Sequence, residues 1–377
     1  MGEVNFFLTQ THTAKENLER RISIPGSRSK FAVVDQINRG KENANYDVVF
    51  IDECSTIDNL SMYRLLEKIN PNSLMVLVGD IHQIESIDFG NWFYYAKDIV
   101  EPSAIVELTS TWRTEDDNLK SLWEEVRYIG PTITEKLVID GPFSEQISDK
   151  LFKDKDEHEV VLCLNYDGRF GLNNINNYFQ DLNDSSVAYH WYEWTYKIND
   201  PILFNDTKRF PTLYNNLKGR IVGIELGEDQ ITFEIEVYKI LTSFDTNGEF
   251  EISNNLDNST IIKLTIYDSK GGASEEEREL SRMRSIIPFQ IAYAVSIHKS
   301  QGLEYESVKI VIPKNNADKI SHGIFYTAIT RAKKNLKLYW HADTMNLVLN
   351  NIKNNNKNHL SLDIIKEKIQ QEHIGKI

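Results

Sequence analysis

The sequence is poor in cysteine and has no long apolar run. Its two cysteines, Cys54 and Cys163, lie far apart with no CxxC or cysteine–histidine cluster, which argues against a disulfide framework or a structural zinc site. The longest mostly apolar run, residues 286–297, is interrupted by Pro288 and Gln290 and is too short to span a bilayer. Because the charged N-terminal stretch also lacks a secretory pattern, we predict a cytoplasmic protein in a reducing compartment.

The chain also has fewer basic than acidic residues. The chain has 42 Lys and Arg against 56 Asp and Glu, a formal net charge of −14, which excludes a protein coated with basic residues for nucleic-acid binding. At ~100–200 residues per domain, 377 residues predict two or three domains. A hydrophobic share of 41% is enough to form their cores.

The N-terminal third alternates between strand and helix patterns. Strands are predicted at residues 4–8, 46–51, 73–78 and 103–108, with helices at 11–21 and near 60–69. Short apolar runs bounded by turn residues are typical of strands buried on both faces of a parallel sheet. The region from 119 to about 155 then becomes charged and helical, which indicates a connector.

A second α/β segment begins with a predicted strand at 159–164 and a helix at 172–180. Short β-like stretches between about 196 and 267 favour a small antiparallel barrel inserted in this second domain, followed by a loop at 269–284. Strands then return at 289–297, 307–312 and 336–339. The predicted organisation is a partial first domain at 1–118, a helical connector at 119–158, a second domain at 159–195 and 286–345, the inserted barrel at 196–285, and a linker with a C-terminal helix at 346–377.

Two adjacent carboxylates, Asp52 and Glu53, follow the buried strand 46–51. Ligands of open parallel sheets bind at the carboxyl ends of the strands. Nucleotide hydrolysis needs one carboxylate to hold Mg²⁺ and another group to orient or deprotonate water, and this pair supplies both. The alternative is that the pair only caps the following helix, and the two residues alone do not decide between these interpretations.

Further polar residues follow neighbouring strands. Asp80 and Gln83 come after strand 73–78 and suit the sensing of a γ-phosphate or its attacking water. Arg113 and Arg331 are candidate arginine fingers, because the guanidinium is a planar fork for phosphate oxygens. A single arginine is more often part of a surface ion pair, so the prediction rests on the set.

Six segments, in order, resemble the motifs of superfamily 1 DNA helicases, particularly the RecD-like branch with its UvrD/RecD-type C-terminal helicase region. They are residues 9–14 (TQTHTA, motif Ia), 52–55 (DECS, motif II), 79–83 (GDIHQ, motif III), 111–114 (TWRT, motif IV), 296–304 (SIHKSQGLE, motif V) and 326–332 (YTAITRA, motif VI). The last two are the most specific. The resemblance extends over about residues 4–340.

The resemblance implies an α/β fold with two RecA-like parallel-sheet domains, the first incomplete at its N-terminal side, and a Src-homology-like β-barrel insert in the second. ATP would be held between the domains and single-stranded or forked DNA across them. Asp52 would bind Mg²⁺, Glu53 would be the general base and Gln83 would sense the γ-phosphate. Arg113 and Arg331 would contact that phosphate. Other nucleotide contacts would come from Asp80, Gly302 and Glu304, and DNA contacts from Thr11, His12, Thr13, Ser296, His298, Lys299 and Ser300.

Aromatic residues near these motifs have two interpretations. Phe89, Trp92, Phe93 and Trp112 would either stack on nucleic-acid bases or pack beneath the motif loops. Large aromatic side chains are mostly buried, so we expect packing.

The sequence departs from the family pattern in one respect: it contains no glycine-rich phosphate loop of the form GxxxxGK[ST]. Two explanations are open. The chain is part of a longer or split helicase, or it is complete and has lost hydrolysis. The retained acidic pair and arginines favour the first. We therefore expect a helicase or translocase portion that is inactive unless an upstream segment or a partner chain supplies the loop. The alternative is a non-catalytic nucleic-acid-binding or regulatory subunit.

Overall fold

The structure, a computed structural model, forms two compact units, Met1–His158 with Ser300–Ile377, and Glu159–Lys299. The residues that it describes are 4–22, 28–40, 46–86, 88, 90–153, 159–185, 187–205, 209–210, 212–268 and 275–354. No helix among them is long and apolar enough to cross a membrane.

The first unit opens with a four-stranded parallel sheet. Its strands are β1 (Val4–Thr9), β2 (Arg28–Val33), β3 (Val48–Ile51) and β4 (Leu74–Leu77), in the order β2-β1-β3-β4. Three of these strands were predicted, whereas β2 was not. The central strands carry the core, since Leu8, Val49 and Ile51 are fully buried.

Helices α1 (His12–Arg21), α2 (Val34–Arg39), α3 (Asn59–Leu66) and α4 (Trp92–Ala96) follow these strands. Polar side chains start two of them: the Ala14 amide donates to Thr11 Oγ1 at 3.2 Å, and the Ser61 amide donates to Asp58 Oδ1 at 2.9 Å. Such caps satisfy amides that have no partner inside the helix.

The predicted strand at 103–108 is wrong. A short 3₁₀ turn, Pro102–Ala104, is followed by exposed chain in which Val106 and Leu108 are 82% and 78% accessible. The segment is β-prone in sequence, but a strand needs a neighbour with which to pair. Since β4 is the end of the sheet among the described residues, the segment has none there.

The predicted connector is helical only in its first part. It contains α5 (Asp117–Arg127), the short α6 (Ile133–Glu135) with a π-helical turn at Lys136–Asp140, and then a strand, β5 (Ser144–Gln146). Four apolar side chains of α5 are fully or almost fully buried, which fixes this helix in the first unit: Leu119, Leu122, Trp123 and Val126.

The second unit begins as predicted, with β6 (Glu159–Cys163) and α7 (Leu172–Asp181), and continues with antiparallel structure. A two-stranded hairpin is formed by β7 (Ala188–Trp191) and β8 (Trp194–Lys197). The remaining elements are β9 (Pro201–Phe204), β10 (Lys218–Leu226), β11 (Gln230–Val237), β12 (Glu251–Asn255), β13 (Thr260–Tyr267), α8 (Glu275–Ser285), β14 (Phe289–Ile291) and β15 (Ala294–Ser296).

Six of these strands form one antiparallel sheet in the order β12-β13-β11-β10-β9-β14 over a single apolar core. The predicted strand at 289–297 is divided, because β14 joins this sheet whereas β15 pairs in parallel with β6. The predicted loop at 269–284 is wrong over its second half, which is α8, and residues 269–274 lie outside the described part.

A buried carboxylate connects several elements of this unit. Asp200 is fully buried and accepts hydrogen bonds from Gln180 Nε2, Asn183 Nδ2 and the Tyr293 hydroxyl. The amide of Lys197 donates to it as well, at 2.8 Å. Full pairing is what a carboxylate removed from water requires.

The chain returns to the first unit with β16 (Tyr305–Val311), α9 (His322–Ile329), β17 (Ala332–Trp340) and α10 (Ala342–Asn354). Within this unit β17 pairs in parallel with both β16 and β5, giving a second parallel sheet. The predicted fold class, two parallel sheets with an antiparallel insert, is confirmed. The linker predicted to begin at 346 is helical as far as Asn354, the end of α10, and residues 355–377 lie outside the described part.

Candidate functional site

The acidic pair lies at the carboxyl end of β3, inside the first unit. The Asp52 amide donates to Leu8 O at 2.8 Å, and the Cys54 amide donates to Val78 O at 2.9 Å, so the chain is fixed to both neighbouring strands. Asp52 Oδ1 accepts the Glu53 amide at 2.9 Å. This is the edge of the sheet at which ligands of such folds bind.

Glu53 has a left-handed backbone, with φ 56° and ψ 40°. A residue other than glycine is uncommon in this region, and strained residues of this kind cluster at functional sites. The Thr56 hydroxyl donates to Glu53 O at 2.7 Å and helps to hold the turn.

Burial raises the pKa of Glu53, and the neighbouring charges of Asp52 and Asp80 raise it further, against the lowering effect of Arg331 and Arg113. Burial also raises the pKa of Asp52, although the hydrogen bond from the Glu53 amide opposes the shift. A carboxyl whose pKa is moved towards neutrality is a better proton acceptor at pH 7 than an ordinary one. The site is therefore suited to a general base at Glu53.

The raised pKa predicts that Glu53→Gln stabilises the protein. In the folded state a carboxyl with a raised pKa keeps its proton to a higher pH than it does in the unfolded state. The free energy of unfolding therefore falls as the pH rises from the ordinary pKa of 4.5 through the folded pKa. Glutamine does not titrate, so we expect the variant to be more stable than the unchanged chain at pH 7 and about as stable as it at pH 4. Urea denaturation at pH 7 and pH 4 measures this. A gain of the same size at both values would contradict the argument.

The end of β4 leads into a second group of polar residues. A Cβ on Gly79 would lie 2.7 Å from the Phe93 ring and 3.1 Å from the Cys54 amide nitrogen, so this close approach requires glycine. Asp80 Oδ1 accepts the His82 amide at 3.0 Å, and burial and the charge of Asp80 raise the pKa of the Tyr326 hydroxyl. This segment is thus held against α9.

Gln83 lies where the segment meets α9. Its Oε1 atom is buried and has no hydrogen-bond partner in the described part of the chain. The Ile84 amide donates to Thr327 Oγ1 at 2.9 Å, and a Cβ on Gly323 would lie 2.7 Å from Gln83 O. A buried acceptor without a donor suggests a place for a bound group or water.

The two arginines differ in their surroundings. Arg113 is 30% accessible, and its Nε donates to Glu304 Oε1 at 2.8 Å while Nη1 donates to Thr330 O at 3.0 Å. Arg331 is only 2% accessible and donates to Thr327 O, Leu303 O and Thr330 Oγ1 at 2.9–3.3 Å. Burial lowers the pKa of Arg331 to about 10, so it stays charged at neutral pH.

Glu304 takes part in ion pairs. Although burial raises its pKa, the charges and hydrogen bonds of Arg113 and Lys333 bring the pKa below its ordinary value. Lys333 Nζ lies 3.0 Å from Glu304 Oε2. Gly302, two residues earlier, has φ 74°, a conformation that favours glycine. The structure therefore pairs Glu304 with Arg113, whereas the resemblance implied that Glu304 contacts the nucleotide.

The predicted DNA-contacting residues fall in both units. In the first, Thr11, His12 and Thr13 start α1, and Ser300 is fully buried. In the second, Ser296 Oγ accepts the Lys299 amide at 3.2 Å, Lys299 Nζ donates to Gln290 Oε1 at 2.6 Å, and His298 is exposed.

The predicted packing of the aromatic residues is right for two and wrong for one. Trp92 donates its Nε1 to Ile57 O at 2.7 Å, and Phe93 packs against the first core. Trp112 is 94% accessible, because it belongs to the segment that has no strand neighbour. Phe89 lies outside the described residues.

Sequence reasoning missed a ring cluster between the segment after β4 and α9. His82 lies 5.8 Å from His322 and 6.3 Å from Tyr326 between ring centroids, and burial lowers the pKa of His82 to about 4. His82 and Tyr326 lie within the quoted motifs, but no spacing rule pairs residues so far apart in sequence.

Divalent metal binding fits the acidic pair. No group of three His, Cys, Asp or Glu side chains able to hold a metal ion occurs among the described residues. Mg²⁺ usually binds proteins through one or two carboxylates, with phosphate and water oxygens completing its shell. Asp52 supplies a carboxylate of this kind.

Two family models match the chain: one described as an AAA domain, over residues 2–133, and one described as a UvrD-like helicase C-terminal domain, over residues 291–339. Both matched regions contain residues of the site described above.

Curated relatives are similar over most of this chain. The RecBCD enzyme subunit RecD of Buchnera aphidicola is 22% identical over 82% of this chain and 56% of its own length. The RecD subunit of Mycolicibacterium smegmatis is 23% identical over 78% of this chain and 50% of its own length. The chain spans about half the length of these relatives.

A solved structure of the Pif1 helicase from Bacteroides, in complex with ADP-AlF3 and single-stranded DNA, aligns with this chain at a TM-score of 0.46 and 12% identity. The alignment covers 90% of this chain and 89% of that one. By its family matches and curated relatives, the chain is similar to superfamily 1 helicases of the RecD-like kind.

Proposed function

We propose that this chain is the body of an ATP-dependent DNA helicase or translocase, in which hydrolysis is coupled to movement on single-stranded or forked DNA. The observation that carries the proposal lies within the first unit, where Glu53 follows β3 and is close enough to Asp80, Arg113 and Arg331 for their charges to act on it. Similarity to the helicase families supports it.

Each residue has a role that its surroundings suit. Asp52 would hold Mg²⁺ on the phosphates of ATP, and Glu53 would accept a proton from the attacking water, helped by its raised pKa. Gln83 would orient that water or sense the γ-phosphate through its buried Oε1.

The arginines would stabilise the charge that develops on the transferred phosphoryl group. Arg331 is held rigidly by three acceptors, which suits a fixed contact. Arg113 is half-buried and paired with Glu304, so it can exchange this partner for a phosphate. Asp80 and Gly302 would add contacts to the nucleotide, as the family resemblance implies.

The phosphate cradle has to come from a glycine-rich loop, which the printed sequence does not contain. We therefore expect the 377-residue chain alone to bind single-stranded DNA and to hydrolyse ATP at most very slowly. DNA would contact the hydroxyl, histidine and lysine side chains predicted from motifs Ia and V.

The test is DNA binding by fluorescence anisotropy together with strand-stimulated ATP hydrolysis, each measured on the chain and on Glu53→Gln. We expect equal DNA binding by both proteins and no hydrolysis above background. Hydrolysis by the chain that Glu53→Gln abolishes would show that no glycine-rich loop is needed. Failure to bind DNA would reject the translocase itself. Binding that remains without hydrolysis even after a loop is supplied would favour a non-catalytic nucleic-acid-binding or regulatory subunit.

A further inference from the structure

The buried face of α7 contains an asparagine beside apolar residues. Asn176 is 6% accessible, and its neighbours on this face, Ile175 and Phe179, are almost fully buried. Asparagine forms helices less readily than leucine, and its amide needs hydrogen-bond partners once water is removed. A buried asparagine in this position is therefore expected to bond to a group that an apolar side chain could not serve.

Both ends of the Asn176 side chain bond to one residue of β15. Nδ2 donates to Ala294 O at 3.1 Å, and the Ala294 amide donates to Oδ1 at 2.7 Å. Ala294 is fully buried, so water cannot take the place of these hydrogen bonds. The side-chain amide thus pairs with the backbone of Ala294 as a neighbouring strand would.

Among the described residues, β15 has a strand neighbour on one side only. It pairs with β6, where the Val161 amide donates to Tyr293 O at 3.1 Å. Successive residues of a strand direct their backbone groups to opposite sides, so the bonds of Ala294 to Asn176 lie on the side away from β6. Without Asn176 two buried backbone groups would lose their partners, which is costly.

The strand β15 is also short. It spans three residues, Ala294–Ser296, against a usual strand length of about 5–6 residues. Few hydrogen bonds can therefore fix it to β6, and the two bonds from Asn176 add to them on the other side. The position of β15 depends on α7 as well as on β6.

The predicted DNA-contacting residues of the second unit follow at once. Ser296 ends β15, and its Oγ accepts the Lys299 amide at 3.2 Å. Lys299 Nζ donates to Gln290 Oε1 at 2.6 Å, and His298 is exposed. Since Ala294 directly precedes this segment, a displacement of β15 would move these side chains as well.

We propose that Asn176 is a positioning residue for DNA binding, because its bonds to Ala294 hold β15 in the place from which residues 296–299 contact the DNA. The Asn176 side chain is buried and does not itself touch DNA. The inference rests on the proposed function for the DNA contacts, whereas the placement of β15 can be measured without DNA.

The test compares Asn176→Leu and Asn176→Asp with the unchanged chain. Leucine has a similar size and removes both hydrogen bonds, whereas aspartate keeps an acceptor for the Ala294 amide and loses the donor to Ala294 O. Asn177→Leu is the matched control, because it makes the same change at an exposed position of the same helix. Urea denaturation identifies the conditions under which each variant is folded.

Hydrogen exchange followed by mass spectrometry measures the placement of the strand. We expect faster exchange at residues 293–299 in both Asn176 variants and unchanged exchange in β10, β11 and β13, which have ladders of their own. Asn177→Leu should exchange as the unchanged chain does. Faster exchange throughout the second unit would overturn the inference, because Asn176 would then stabilise the unit as a whole.

DNA binding measures the consequence. Fluorescence anisotropy with an oligothymidine of about 16 nucleotides gives Kd at a series of salt concentrations. We expect Kd to rise about tenfold in Asn176→Leu, and the plot of log Kd against log salt to flatten by ~0.7 for each phosphate contact that is lost. Partial unfolding lowers the amount of active protein without changing this slope, so the slope separates positioning from general stability.

A double-mutant cycle links Asn176 to the contacts that it positions. In a Lys299→Gln background we expect Asn176→Leu to change Kd by less than about threefold, since one of those contacts is already absent. Equal effects in both backgrounds, an equal effect of Asn177→Leu, an unchanged Kd in Asn176→Leu, or loss of folding by both Asn176 variants would overturn the inference. An unchanged chain that does not bind the oligonucleotide would instead reject the proposed function, and hydrogen exchange would still decide whether Asn176 places β15.

Discussion

Arg331→Ala is expected to lower the free energy of unfolding by about 3–5 kcal/mol. Its guanidinium is buried and donates to two backbone carbonyls and one hydroxyl, so truncation removes three hydrogen bonds and leaves a cavity. The same change removes a positive charge that acts on Glu53. Urea denaturation measures the loss.

Arg113→Ala is the matched control. Its side chain is 30% accessible and its main partner, Glu304, is 31% accessible, so solvent screens the pair and the expected cost is about 1 kcal/mol or less. Arg331→Lys keeps the charge without the planar fork and should lie between the two. A loss below about 1 kcal/mol for Arg331→Ala would mean that the buried hydrogen bonds do not stabilise the fold.

Gly323→Ala is expected to destabilise the protein by about 1–3 kcal/mol, although alanine has a higher helix propensity than glycine. Alanine at an ordinary helical position gains roughly 0.5–1 kcal/mol over glycine. Here the new Cβ would lie 2.7 Å from the backbone oxygen of Gln83, which cannot rotate away as a side chain can. Whether Gly323→Ala lowers or raises the free energy of unfolding therefore tests whether residue 323 packs as tightly on Gln83 O as the structure shows.

The control for this substitution is Gly40→Ala. Its Cβ would meet backbone oxygens only at 3.3 Å or more, and its φ is −63°, which alanine adopts without strain. We expect a change within about 0.5 kcal/mol. Hydrogen exchange at residues 80–84 should increase in Gly323→Ala and stay unchanged in Gly40→Ala. A stabilised Gly323→Ala protein would be incompatible with the close packing of α9 on Gln83.

The sequence predicted the parts of the fold that local patterns determine. Short strands such as β3 and β4 are apolar runs between turn residues, and they were found within two residues of their predicted bounds. The strand at 103–108 failed for the opposite reason, because a β-prone run becomes a strand only when a neighbour is present. The first half of strand β2 is charged and polar, and the strand gave no comparable signal.

The site was predictable as a set of residues but not as a geometry. Asp52 and Glu53 could be placed at a strand end, yet nothing in the sequence shows the left-handed backbone of Glu53 or the buried surroundings of Arg331. The ion pair of Arg113 with Glu304 joins residues from distant parts of the chain. Such contacts follow from tertiary packing, which residue spacing does not encode.

The buried carboxylate of Asp200 has a mechanical consequence. It ties α7, through Gln180 and Asn183, to the amide of Lys197 in β8 and to the hydroxyl of Tyr293, just before β15. Bending the second unit here would break several hydrogen bonds to one charge that has no access to water. A force applied to the antiparallel sheet is therefore passed on to α7 and β15 through these hydrogen bonds. Bending of the chain has to take place elsewhere.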